Sequence, residues 1–240
     1  MTIIVPVSRK RYLNRLFESL NNLQGEADLL VYCDGDVDLY QKARNLTRES
    51  KFNERLCVFR RKGLTSDSNV VKRRQRIADI HNEIRGLIHD TEFVFLTEDD
   101  TLLPPDTLIR LQENYKEDSG IVSGMQVGRW GFRALGGWTL DDLNNPTRIQ
   151  SAIGAQEVDG TGLYCCLTRK EYYLQNDFKP FLDILGPDVD FGVNLRKKGL
   201  RNELVALECL HMTPKRDIGL EKIDQVEFTK SDLGWRLNKV

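Results

Sequence analysis

Through the first hundred residues, short apolar runs alternate with longer segments whose apolar positions keep helical spacing. Thr2 to Val7, Leu29 to Cys33, Leu56 to Phe59 and Phe93 to Leu96 are rich in β-branched and aromatic residues and read as buried strands. After the first run, Tyr12, Leu13, Leu16, Phe17, Leu20 and Leu23 recur at helical spacing, with Ser8 as candidate cap. Before the fourth run, Ser66-Asp67-Ser68-Asn69 is a cluster of capping residues. The helix expected after it carries Ile77, Ile80, Ile84, Leu87 and Ile88 on one face and Lys72, Arg73, Arg74 and Arg76 around its first turns. This alternation predicts a largely parallel, doubly wound α/β sheet.

The second half is less regular. Pro104-Pro105-Asp106 starts a helix with Leu108, Leu111 and Tyr115 facing in, and Ile121 to Met125 is a fifth strand. From Gly124 to Gly162 periodicity dissolves into a Gly-, Trp-, Asn- and Asp-rich stretch, the mark of a functional or mobile loop. Val158 to Leu167 recovers strand character around Gly160-Thr161-Gly162, where glycines signal a bulge or a close approach by a ligand. A short helix runs from Pro187 to a basic last turn at Lys197-Lys198-Gly199, and Leu204 to Leu207 is a late strand leading to His211. No repeat or linker divides the chain. One domain over residues 1–213 is expected, with a charged C-terminal arm over 214–240.

Composition narrows the class. Of 240 residues, 40% are hydrophobic and 30% charged, as in a soluble globular chain. A net charge of -1 argues against a nucleic-acid or anionic-membrane footprint. No apolar run is long enough for a transmembrane helix, and Met1 to Pro6 lacks the pattern of a signal peptide. The cysteines, Cys33, Cys57, Cys165, Cys166 and Cys209, lack zinc-site spacing and mostly sit in apolar runs; a cytoplasmic setting is the expectation.

Candidate chemistry gathers at strand ends. The fourth strand runs into Glu98-Asp99-Asp100, three adjacent carboxylates that repel one another unless a positive group sits among them. In open α/β sheets ligands bind at the carboxyl ends of strands, so a divalent cation is one candidate there and a solvated acidic turn the other. Asp34 follows the second strand, Asp188 opens the late helix and His211 follows the late strand. Asp34-Gly35 also suits an ordinary turn, Asp188 a helix cap and His211 a core histidine. His81 and His89 are read as structural. Trp130 and Trp138 suit either sugar stacking or core filling.

In order and spacing these motifs resemble the GT-A glycosyltransferases, with the layout of the large family 2. The resemblance runs from Ile3 to His211. It is carried by Ile3 to Arg9, Cys33-Asp34-Gly35-Asp36, Leu96 to Asp100 with Leu103 to Asp106, Asp159 to Gly162, Gly186 to Phe191, and His211. It implies a single Rossmann-like mixed sheet flanked by helices, with a nucleotide-binding half over 1–100 and an acceptor-binding half over 101–213. It also implies a UDP- or GDP-sugar donor, Mn²⁺ or Mg²⁺, and an acceptor hydroxyl on a glycan, protein or small molecule. By the same resemblance, Asp100 and His211 are metal ligands. Glu98 holds the ribose or a metal-bound water, and Asp34 meets the nucleobase. Pro6, Ser8, Arg9, Asp99, Gly160, Thr161 and Gly162 belong to the donor site; separately from the resemblance, Arg74 or its neighbour Arg73, near a helix start, is placed to reach the diphosphate. Asp188 is implied as general base for an inverting displacement, with Asp190 its rival.

Two further readings compete. A nucleotidyltransferase uses a similar sheet, but Val7-Ser8-Arg9-Lys10-Arg11 lacks the glycines of a phosphate loop. A non-catalytic glycan- or partner-binding domain would have no need of acids at each expected position. Gln126-Val127-Gly128-Arg129-Trp130 has the spacing of a processive-synthase signature, but it precedes Asp188 and accompanies no membrane span.

Overall fold

The computed structural model describes residues 1–60, 70–127, 135–142, 145–149, 155–182, 185–212, 226–231 and 234–239; the capping cluster at 66–69 and Trp130 lie outside them. The first half builds β1 (Thr2–Val7), α1 (Leu13–Asn22), β2 (Asp28–Asp34), α2 (Val37–Glu49), β3 (Arg55–Arg60), α3 (Val70–Arg85) and β4 (Phe93–Thr97). Its four strands are parallel, in the order β3-β2-β1-β4.

Alternate residues of each strand serve opposite faces of the sheet. Ile3, Val5 and Val7 of β1 and Phe95 of β4 pack against Leu13, Leu16, Phe17 and Leu20 of α1. Ile4 and Leu96 face the other way, toward Ile80 and Ile84 of α3. Burial on both faces explains why these strands read as continuous apolar runs. Ile77, expected on the buried face of α3, is exposed, and Ala78 packs inward instead.

One capping expectation fails, and one helix had no apolar signal. Ser8 does not cap α1, which follows a 3-10 turn at Lys10–Tyr12 and has no side-chain cap. The helix α2 was not signalled by apolar periodicity, because its buried stripe is only Leu39, Ala43 and Thr47. Its clearest mark is Asp36, whose side chain accepts the Leu39 amide at 2.7 Å as an N-cap.

The second half adds β5 (Thr101–Leu102), α4 (Thr107–Asn114), β6 (Ser119–Val127), β7 (Gly137–Leu140), β8 (Pro146–Arg148), β9 (Gln156–Val158), β10 (Gly160–Thr161), β11 (Cys165–Arg169), α5 (Lys170–Gln175), α6 (Pro187–Lys197), β12 (Arg201–His211), β13 (Val226–Ser231) and β14 (Gly234–Lys239). Here the sheet becomes mixed. It continues from β4 through β11, β6 and β12 to β5, with β11 antiparallel to both neighbours and β12 parallel to β6. The stretch from Val158 to Leu167, expected as one interrupted strand, is instead the end of β9, then β10, a turn and β11. The aperiodic segment holds a small antiparallel sheet, β10-β7-β8, whose strands are too short to display a period. Within the C-terminal arm, β13 and β14 form an antiparallel hairpin. Phe228 of that hairpin packs against the cluster of Tyr12, Leu102, Leu210 and Met212.

One irregularity positions the site. The pairing of β6 with β12 shifts register between Val205 and Glu208, the signature of a bulge. The Arg110 side chain donates to the Ala206 carbonyl there at 2.6 Å. Gly124 is required at this crossing, because a Cβ would lie 2.9 Å from the Leu207 carbonyl oxygen. Beyond the bulge, Leu210 and His211 pair with Leu102 and Thr101 of β5.

Candidate active site

The acidic turn lies between β4 and β5, and the end of β12 is laid against it. Met212 donates its amide to the Asp100 carbonyl at 2.6 Å, and the Thr101 amide closes the turn on the Glu98 carbonyl at 3.2 Å. These bonds bring His211 Nε2 to 3.1 Å from Asp100 Oδ2 and 3.9 Å from Glu98 Oε2. Glu98, Asp100 and His211 each offer a ligand atom, all within 4.8 Å of one another. Asp100 and His211 are buried and Glu98 is partly exposed. Two carboxylates and an imidazole form a donor set that suits Mn²⁺ and tolerates Mg²⁺.

Asp99 points the other way. Its Oδ2 accepts the backbone amides of Ser8 at 2.7 Å and Arg9 at 2.8 Å, with the Ser8 hydroxyl at 3.3 Å. Its Oδ1 accepts Arg9 Nε at 2.7 Å and also Arg9 Nη2. The remaining guanidinium nitrogen, Nη1, donates to Asp100 Oδ2, the oxygen that also meets His211. Burial works against the Arg9 charge, but Asp99 and Asp100 outweigh it and raise its pKa. Arg9 is thus the positive group that three adjacent carboxylates require.

Asp34 ends β2 with its side chain only 1% exposed. Arg76, on α3, donates through Nε to Asp34 Oδ2 and through Nη2 to the Asp34 carbonyl at 3.0 Å. Among the described residues no donor meets Asp34 Oδ1, leaving a buried carboxylate oxygen able to accept an N–H from a ligand. Arg76 was absent from the sequence-based donor set. The available signal was its place one and two turns before Ile80 and Ile84 on the buried face. Arg74, the basic residue singled out instead, is partly buried on a different face of α3.

Asp188 occupies the first turn of α6 behind Pro187, where the helix dipole favours a carboxylate. Gly186 makes room for it, since a Cβ there would fall 2.1 Å from Asp188 Oδ1. The Asp188 charge reaches Cys166, whose thiol is pushed upward first by burial and then by Cys165 and Asp188. Cys166 pairs with Leu96, two residues before Glu98. Asp190 is 3% exposed, accepts Asn194 Nδ2 at 3.1 Å, and has its pKa raised by burial.

The Gly160-Thr161-Gly162 segment is packed. A Cβ on Gly160 would fall 2.1 Å from the Trp138 ring, and one on Gly162 2.8 Å from Tyr164. Trp138 itself fills a cluster with Val189 and Val193 of α6, and Thr161 is buried. Pro6 pairs with Tyr32 inside the sheet. His81 is a core histidine, with Nδ1 2.9 Å from the Tyr173 hydroxyl and its ring stacked on Phe178 at 5.0 Å.

No family model and no curated protein matches the chain. Solved structures do resemble it. GalNAc-T7, determined with UDP, GalNAc and Mn²⁺, aligns over 92% of this chain and 44% of its own at 9% identity, with a TM-score of 0.63. The chain thus spans less than half the length of that protein. The inositol-1-phosphate CTP transferase from T. maritima covers 89% of each chain at 15% identity and TM-score 0.50. An apo UDP-glucose pyrophosphorylase covers 87% of this chain and 90% of its own at 8% identity and TM-score 0.51. The likeness is one of fold: a GT-A-like mixed α/β sheet flanked by helices, found in both glycosyl- and nucleotidyltransferases. No described helix is long and apolar enough to cross a membrane.

Proposed function

We propose that this chain is a metal-dependent, inverting glycosyltransferase of the family 2 type, moving one sugar from a UDP- or GDP-sugar to an acceptor hydroxyl. The observation that carries this reading is the convergence of Glu98 and Asp100 from the turn after β4, and His211 from the end of β12, into one ligand set. On this reading these three residues hold Mn²⁺ or Mg²⁺, which when bound neutralises charge on the departing nucleoside diphosphate. Asp34 Oδ1 accepts an N–H from the nucleobase while Arg76 fixes the other oxygen. Asp188 takes the proton from the acceptor hydroxyl as it attacks the anomeric carbon opposite the diphosphate, so that configuration inverts. Asp99 supports the turn after β1, because Ser8 and Arg9 occupy both of its oxygens.

Nucleotidyl transfer is the second reading, favoured by the fold shared with two such enzymes. The turn after β1 argues against it. A triphosphate cradle there needs free backbone amides, and those of Ser8 and Arg9 both end on Asp99. A screen of nucleotide-sugars for Mn²⁺-dependent release of free sugar tests the proposal. Release with at least one donor, lost in Asp100→Ala, is the expected result. Silence with every donor, alongside turnover of a nucleoside triphosphate and a sugar phosphate, would transfer the chain to the second class.

A further inference from the structure

Asp100 Oδ2 has two suitors. His211 Nε2 lies 3.1 Å away on one side, and Arg9 Nη1 donates to the same atom from the other. The rest of the Arg9 guanidinium is committed elsewhere. Nε at 2.7 Å and Nη2 both grip Asp99 Oδ1, and Asp99 is in turn pinned by the Ser8 and Arg9 amides. The plane of the guanidinium is therefore set by Asp99, and Nη1 is the only one of its nitrogens on the ligand set. The Arg9 side chain is 40% exposed whereas those of Asp99 and Asp100 are 2% and 1%. The guanidinium thus meets buried acid through all three of its nitrogens, on a side chain that keeps contact with solvent.

The charges suit an exchange. Glu98, Asp99 and Asp100 carry three negative charges, matched by one guanidinium and one divalent cation together. Arg9 on Asp99 and a dication on Glu98 and Asp100 make a neutral set, but Nη1 and a cation cannot share one carboxylate oxygen without repulsion. Nη1 must then find another acceptor, and an anionic phosphoryl oxygen is the acceptor that a guanidinium favours.

We propose that Arg9 is a positioning residue that exchanges Asp100 for a diphosphate oxygen when the cation binds, and so makes cation and nucleotide bind cooperatively. This rests on the metal site proposed above and adds an order to its filling. With no diphosphate present, Arg9 competes with the cation for Asp100. With a diphosphate present, the competition is relieved, because Nη1 has a better partner. By linkage the cation strengthens nucleotide binding by the same factor. Asp99 is the pivot, holding Nε and Nη2 through the exchange.

The test is Mn²⁺ binding, followed by titration calorimetry and by the electron paramagnetic resonance signal of the free ion. Wild type and Arg9→Gln are compared without nucleotide and with UDP or GDP. Without nucleotide, Arg9→Gln is expected to bind Mn²⁺ about tenfold more tightly than wild type, an order of magnitude typical of site-to-site coupling. With nucleotide, wild type gains affinity and Arg9→Gln gains much less. Equal or weaker Mn²⁺ binding by Arg9→Gln in the absence of nucleotide would overturn the exchange while leaving the metal site intact. Absence of Mn²⁺ binding by both proteins, with either nucleotide, would overturn the metal site itself and the exchange with it. Should Arg9→Gln lose its cooperative melt, Arg9→Lys carries the test. It keeps the charge without the fork, and its nucleotide-free affinity must then exceed that of wild type.

Discussion

Arg9 grips Asp99 with its main chain and its side chain together. The Arg9 amide donates to Oδ2 at 2.8 Å while Nε donates to Oδ1 at 2.7 Å. A turn that carries no glycine is thereby held against a strand end ninety residues away in sequence. Asp99→Asn keeps the shape but removes the charge and one accepting pattern. It is expected to lower stability by about 2 kcal/mol, less than the ~3–5 for breaking a fully buried pair because Arg9 is partly solvated. Denaturant unfolding of the variant measures this, and an unchanged midpoint would mean the contact contributes nothing.

How far the sequence reveals this site depends on the residue. The parallel half was legible because Ile3, Ile4, Val5 and their counterparts are buried on both faces, which leaves unbroken apolar runs. Glu98, Asp100 and His211 were legible through their places at strand ends. Arg9's grip was not, because it joins chain segments far apart and leaves no local pattern. Arg76 was hidden among the four basic residues in the first turns of α3, and only its register with Ile80 and Ile84 separates it from its neighbours. Gly160 stands out in the sequence as a bulge or a ligand approach, whereas in the structure the close neighbour is the Trp138 ring, a tertiary contact that no local spacing reports.

Arg76 and Asp34 form a pair whose halves are unequally buried, at 23% and 1% exposure of the side chain. Arg76→Met leaves the Asp34 charge buried without its partner, at an expected cost of about 3 kcal/mol. Asp34→Asn in the same chain removes that stranded charge and should recover part of the loss. A double-mutant cycle read by chemical denaturation gives the coupling, and strict additivity would show that the two side chains do not interact. The nucleotide-induced rise in melting temperature should fall in both Asp34→Asn backgrounds, because Oδ1 serves the ligand.

His81 supplies a pH dependence away from the candidate site. Burial lowers its pKa from 6.5 to about 4. The unfolded chain therefore binds a proton between about pH 6.5 and 4 that the folded chain refuses, so stability falls as pH drops through that window. The contribution is fully present above pH 6.5 and amounts to as much as about 3 kcal/mol. His81→Gln keeps a polar partner for the Tyr173 hydroxyl but does not titrate. Melting curves at pH 7.5 and 5 are expected to converge in the variant relative to wild type. An equal pH-induced drop in both proteins would assign the acid sensitivity to other groups.

The two carboxylates of α6 are separated by one residue and differ in what surrounds them. Asp190 is held on its own helix by Asn194, which also donates to Asn176 Oδ1 at 2.9 Å, and burial disfavours its charge. A carboxylate so enclosed has structural work and poor access to an acceptor. Asp188 is partly exposed, sits in the helix first turn where charge is favoured, and curls over Gly186. Asp188→Asn should lower kcat about 10²- to 10⁴-fold, the usual range for a general base, while the nucleotide-induced rise in melting temperature stays as in wild type. Asp190→Asn, isosteric and still bonded to Asn194, should leave kcat within about threefold, since surrounding contacts are kept. Turnover lost in Asp190→Asn and retained in Asp188→Asn would move the base two residues along the helix. Loss of the nucleotide shift in Asp188→Asn would instead place that carboxylate in the donor site, because a base for the acceptor has no contact with the nucleotide to lose.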